Sequence, residues 1–112
     1  MYQQHQDNME NEIILCAHRA FFGLISKEVR GITIDWDVNL NFLKLRIYIE
    51  LGASEIISED MDIAFADIIS DFNFKKVYDI ECIYTDEELS YLKEYKTWYF
   101  IRKEDNYPDL DI

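Results

Sequence analysis

The sequence predicts an α+β fold of order αββαββ: a four-stranded antiparallel sheet with two helices packed on one face. Three observations carry this. Two segments place apolar residues at three- and four-residue steps, three others alternate apolar with polar residues, and a last one is short and aromatic-rich. Three Gly and one Pro in 112 residues leave room only for short connections. The length fits one domain, 1–112, with residues 1–7 and 105–112 expected to be flexible. Half the residues are hydrophobic and 15% are aromatic, so the high charge does not imply disorder.

The elements follow in order. Asp7 or Asn8 caps a first helix expected over 8–27, with Glu10 and Glu12 in its first turn. Ile13, Ala17, Ala20, Phe21, Leu24 and Ile25 form its apolar stripe, and Gly31 marks the reversal after it. Ile32, Ile34 and Trp36 then alternate with Thr33 and Asp35. Leu43, Leu45, Ile47, Ile49 and Leu51 alternate with Phe42, Lys44, Arg46, Tyr48 and Glu50. Such alternation gives each strand one buried and one wet face. The polar residues 37–39 between them suit a hairpin turn. Ser58 stands before Glu59 and Asp60 as the expected cap of a second helix, whose stripe is Met61, Ala64, Phe65, Ile68 and Phe72. Tyr78, Ile80, Cys82 and Tyr84 alternate with Asp79, Glu81 and Ile83, and residues 97–103 (TWYFIRK) make the last strand. Strands three and four are expected as a second hairpin. The link 86–96 holds Leu89, Tyr91, Leu92 and Tyr95, so part of it is expected to pack.

Charge is distributed unevenly. The formal net charge is -12, and stretch 47–74 carries Glu50, Glu55, Glu59, Asp60, Asp62, Asp67 and Asp71 without a Lys or Arg. A second base-free stretch, 77–92, adds Asp79, Glu81, Asp86, Glu87 and Glu88. That field repels nucleic acid and anionic membranes and attracts basic proteins or cations. Lys44 and Arg46, with Phe42, Tyr48 and Trp98, superficially suggest a stacking platform for single-stranded RNA, but so acidic a chain makes a poor one. No apolar run approaches the roughly 20 residues that span a bilayer. The N-terminal MYQQHQDN lacks a basic segment followed by an apolar run, so the expected location is the cytoplasm.

Catalytic parts are wanting. GxSxG, HExxH, Walker and GxGxxG motifs are absent from the sequence, and no cofactor or metal is expected. Glu59, Asp60 and Asp62 lack the glycine and terminal glutamate of a calcium loop, and residues two apart on a helix do not share a face. His18 reads as an ordinary helical histidine. Cys16 and Cys82 read as two buried free thiols, a disulfide being the alternative.

Four segments carry a resemblance: AHRAFFGLISKEVRGITIDWD (17–37), LRIYIELGASEIISEDMD (45–62), IISDF (68–72) and WYFIRKE (98–104). Together they resemble a family of small bacterial immunity proteins encoded beside polymorphic and contact-dependent growth inhibition toxins. The matching stations are 23–30, 32–37, 57–60, 71–72 and 102–104, and section 77–96 departs from the pattern. The resemblance implies a non-enzymatic protein that binds and neutralises a cognate toxin domain, and the expected toxin is a nuclease with a basic surface.

On that expectation the toxin-binding candidates are Glu59, Asp60, Asp62, Asp67 and Asp71 for charge, with Phe42, Tyr48 and Trp98 as anchors. Those aromatics, together with Phe100, have two readings. Either they are exposed anchors beside arginine, or the tail or the link 86–96 lies over them. The alternative function is a structural or adaptor module that homodimerises through the exposed sheet face.

Overall fold

A computed structural model of the chain describes residues 2–37, 42–72, 77–93 and 97–104. Helix α1 (Tyr2–Phe21) is followed by β1 (Val29–Asp37), β2 (Phe42–Glu50), α2 (Ile56–Phe72), β3 (Val77–Thr85), a 3-10 turn at Leu89–Tyr91 and β4 (Thr97–Ile101). The order αββαββ is as expected, and the hairpin turn expected at 37–39 lies largely outside the described residues, as does the tail 105–112.

One core joins both helices to one face of the sheet. Ile32, Ile34 and Trp36 of β1 pair across the sheet with Ile47, Leu45 and Leu43 of β2. Over them lie Ile13, Cys16, Ala17, Ala20 and Phe21 from α1, and Ile57, Met61, Ala64, Phe65 and Ile68 from α2. Ile80, Cys82 and Tyr84 of β3 and Tyr99 and Phe100 of β4 close the margins. The alternation read from the sequence holds for the inward residues of β1 and for Leu43 to Ile49. But Leu51, expected inward, lies past the end of β2 and is exposed, while Thr33 and Tyr48, expected on the wet face, are buried.

The strand directions correct the expected topology. The sheet order is β3-β2-β1-β4, with β1 antiparallel to β2 and β4, but β2 parallel to β3. The sheet is therefore mixed, and β3 and β4 are its two edges instead of a second hairpin. Helix α2 explains this. Its 17 residues span about 25 Å, close to the roughly 30 Å of the 9-residue β2. Laid back along the sheet, it returns the chain to the end where β2 began, so β3 starts there and runs alongside β2. For β4 to pair antiparallel with β1 it too must run in the direction of β3. The described part of the link, 86–93, accordingly leaves the end of β3 and runs over the face the helices leave free, where the Lys93 carbonyl meets Tyr48.

Local boundaries differ for identifiable reasons. Helix α1 begins at Tyr2, so neither Asp7 nor Asn8 caps it. It ends before Gly23, whose φ of 78° supplies the left-handed turn that stops a helix. Gly31 lies inside β1 instead, where a Cβ would sit 2.7 Å from Trp98 Cζ3. It is needed for close approach, not for reversal. At α2 the cap is Ser54, whose Oγ accepts from the Ile56 amide at 3.2 Å. Ser58 lies inside the helix and donates to the Glu55 carbonyl at 2.9 Å. Both cysteines are free, Cys16 buried and Cys82 half-buried.

Candidate functional site

Two surfaces contain the residues singled out in the sequence. The first is the outward face of α2. Its inward stripe (Ile57, Met61, Ala64, Phe65, Ile68) is consumed by the core, which leaves Glu59, Asp62 and Asp67 exposed and Asp60 half-buried. Asp71 lies in the last turn of α2. Among the described residues, none of Glu59, Asp60, Asp62 and Asp67 is in an ion pair, whereas three acids elsewhere are. Asp62 acts on the neighbouring strand. Burial first, then the Asp62 and Glu81 carboxylates, push the Cys82 thiol up to about 11, which leaves it neutral and unreactive near pH 7.

The second surface is the outer face of the sheet, where Phe42, Tyr48 and Trp98 were expected. It is not bare. Tyr48 is only 2% exposed, and its hydroxyl donates to the Lys93 carbonyl at 2.6 Å. Of the two readings of these aromatics, cover by the link holds for Tyr48. Leu89 of the same link is fully buried. Trp98 is half-buried, its ring centroid 5.9 Å from that of Tyr48, while Phe42 is half-buried with Lys44 Nζ 5.7 Å above its ring. Tyr48 and Trp98 thus hold the link and β4 in place, and the acids of α2 lie on the opposite side of the sheet.

Sequence reasoning missed a third feature. At the end of the sheet where β1 begins, the Arg30 guanidinium is a buried hub. Its Nε and a terminal nitrogen donate to both Glu104 carboxylate oxygens at 3.0 and 2.9 Å. The terminal nitrogens also donate to the Thr85 and Glu87 carbonyls at 2.8 and 2.6 Å. Arg102 completes the cluster through Glu104, Glu50 Oε1 at 2.6 Å and the Lys27 carbonyl at 2.6 Å. Arg30, chiefly, holds the Glu104 carboxyl below its ordinary range. The side chains of Arg30, Glu50, Leu51, Thr85, Asp86, Arg102 and Glu104 line an open cleft of about 360 Å³. Both guanidinium groups are already engaged by protein carboxylates and carbonyls, so the cluster is a clamp that ties β1, β2, the link and the end of β4 together. The one available signal was that Arg30 closes the first matching station, 23–30, and Arg102–Glu104 form the last.

Among the described residues, no group of three His, Cys, Asp or Glu side chains is placed to hold a metal ion. His18 is occupied by the Tyr99 hydroxyl, 2.8 Å from Nδ1. No described helix is long and apolar enough to cross a membrane.

The geometry is that of a braced sheet with one charged, unpaired helical face, and comparison with known proteins gives it a context. No curated protein matches the chain. The family model of the MafI2 immunity protein matches residues 10–104, which takes in both helices' core stripes, all four strands and the clamp as far as Glu104. The chain therefore belongs to the MafI2 immunity protein family, whose role is the neutralisation of a toxin.

Proposed function

We propose that the chain neutralises its cognate toxin without catalysis, by covering a positively charged face of the toxin domain, and that this domain is a nuclease. The toxin would belong to a polymorphic or contact-dependent growth inhibition system and be met in the cytoplasm. The supporting observation is the outward face of α2. It keeps Glu59, Asp62 and Asp67 exposed, without an ion partner among the described residues, inside a 28-residue stretch (47–74) free of Lys and Arg. A nuclease presents cations to hold its polyanionic substrate. A protein with the opposite field competes for those cations and is drawn to them at an accelerated rate.

The test is co-expression with the toxin domain encoded beside the gene, followed by a nucleic-acid cleavage assay with the two purified proteins. Growth should be rescued, cleavage should stop at one equivalent, and binding should be of nanomolar order or tighter (about -12 kcal/mol). Failure of rescue, or inhibition whose association rate ignores ionic strength, would overturn the proposal.

A further inference from the structure

Taking as its basis the reading that the partner is a toxin with a cationic face, we propose that the docking surface centres on a two-isoleucine ridge, Ile56 and Ile63 of α2, framed by Glu59, Asp60 and Asp67. Ile56 is 60% exposed and Ile63 55% exposed. Seven residues, or about 10 Å along the axis, separate them, so they stand on one line of the helix two turns apart. Glu59 and Asp60 fall between them at three- and four-residue steps, and Asp67 follows Ile63 by four. The ridge is distinct from the stripe that holds the helix to the sheet, since Ile57, Met61, Ala64, Phe65 and Ile68 serve that purpose. Folding therefore does not call for isoleucine at 56 or 63.

An apolar centre inside a charged rim is the usual anatomy of an affinity-bearing patch: the centre supplies desolvation and slow release, and the rim supplies encounter and register. Here the rim is uniformly negative and lacks internal counter-ions among the described residues. It therefore fits a partner whose recess is lined by Lys or Arg. Competing surfaces fit such a partner less well. Tyr48 on the sheet is under the link. Leu15 and Phe22 are also exposed apolar residues seven apart, but the basic side chains His18 and Arg19 lie between them and Phe22 stands past the end of α1.

The experiment measures binding kinetics of the full chain to the toxin domain encoded beside it, with thermal melting to verify that each variant is folded. Ile56→Ser with Ile63→Ser should accelerate dissociation roughly 30-fold while leaving association within about two-fold. Asp60→Asn with Asp67→Asn should slow association several-fold at low salt, a difference that closes as salt is raised. Leu15→Ser with Phe22→Ser should change neither rate. If the wild type binds tightly and the isoleucine pair is inert, the ridge is overturned while the proposed function stands. If the wild type does not bind, both fall.

Discussion

Replacing Arg30 by Met tests whether the clamp, and not the aromatic layer, governs the position of the link. Arg30 is 5% exposed and sits at the start of β1, from which it reaches Glu104 74 residues later and the Thr85 and Glu87 carbonyls across β2. Methionine fills much of the same volume, so the loss is polar. Two charge-assisted bonds to Glu104 disappear and two carbonyls lose a donor. Breaking a buried pair typically costs about 3–5 kcal/mol. Arg102 still holds Glu104, with a terminal nitrogen 2.7 Å from Oε2, so the lower end of that range, about 3 kcal/mol, applies. For a chain of 112 residues this lowers the melting temperature by about 12–20 °C. Urea unfolding followed by the fluorescence of Trp36 and Trp98 measures it. Trypsin provides a second, local readout, because Lys93 lies in the link and its carbonyl is held by Tyr48. Native-state cleavage after Lys93 should quicken in the variant. A loss under about 1 kcal/mol with unchanged cleavage would refute the clamp, since it would mean that the pairs merely offset their own desolvation.

Other consequences are checked more briefly. Gly31→Ala puts a methyl group within 2.7 Å of Trp98 Cζ3 and should cost about 1–3 kcal/mol in denaturant melts, partly recovered by adding Trp98→Leu. Because Glu104 titrates below its ordinary 4.5, its contribution is complete above that value and lost as pH falls through the lower folded value. The acid limb of the stability–pH curve should therefore be shallower in Glu104→Gln than in the wild type. The Cys82 thiol, at about 11, should react with iodoacetamide at pH 8 about 100-fold more slowly than after unfolding, because only about one thiol in a thousand is ionised. Ala66→Lys places a cation four residues after Asp62 on an exposed face and should stabilise the free protein by about 0.3–0.5 kcal/mol while slowing its association with a cationic toxin.

What could be read from the sequence is what depends on near neighbours. The stripes of α1 and α2 and the β1–β2 pairing rest on periods of 3.6 and 2, and both survive in the folded chain because one face of every element is buried. Strand direction is not local. The parallel pairing of β2 and β3 follows from the length of α2 relative to the sheet, and the course of 86–93 over the outer face follows from that pairing. Tyr48 shows the consequence: alternation puts it on the outer face but says nothing about what lies there. Gly31 misled for a related reason, since a glycine needed for contact with Trp98, 67 positions later, looks the same as one needed for a turn. The acids of α2 were legible as a charge excess, but that Glu59, Asp60, Asp62 and Asp67 have no ion partner among the described residues required knowing where the arginines went.

Three of the four arginines are spent on the sheet. Arg30 pairs with Glu104, Arg46 with Glu81, and Arg102 with both Glu50 and Glu104. Helix α2, by contrast, forgoes the support its surface offers. The positions four residues after Glu59 and Asp62 are Ile63 and Ala66, both exposed, and the position after Asp67 is Asp71. Lysine at 63 and 66 would form the favourable acid-before-base pairs, each worth about 0.3–0.5 kcal/mol, and Asp67 with Asp71 is a like-charge pair of the opposite sign. A helix optimised for its own stability would not leave all three unfilled beside a net charge of -12, which already opposes compaction through self-repulsion. Local choices that conflict with stability mark surfaces held for another purpose. In a member of an immunity family the purpose we propose is the toxin: on that reading the helix keeps its negative field unneutralised for a partner that brings the cations.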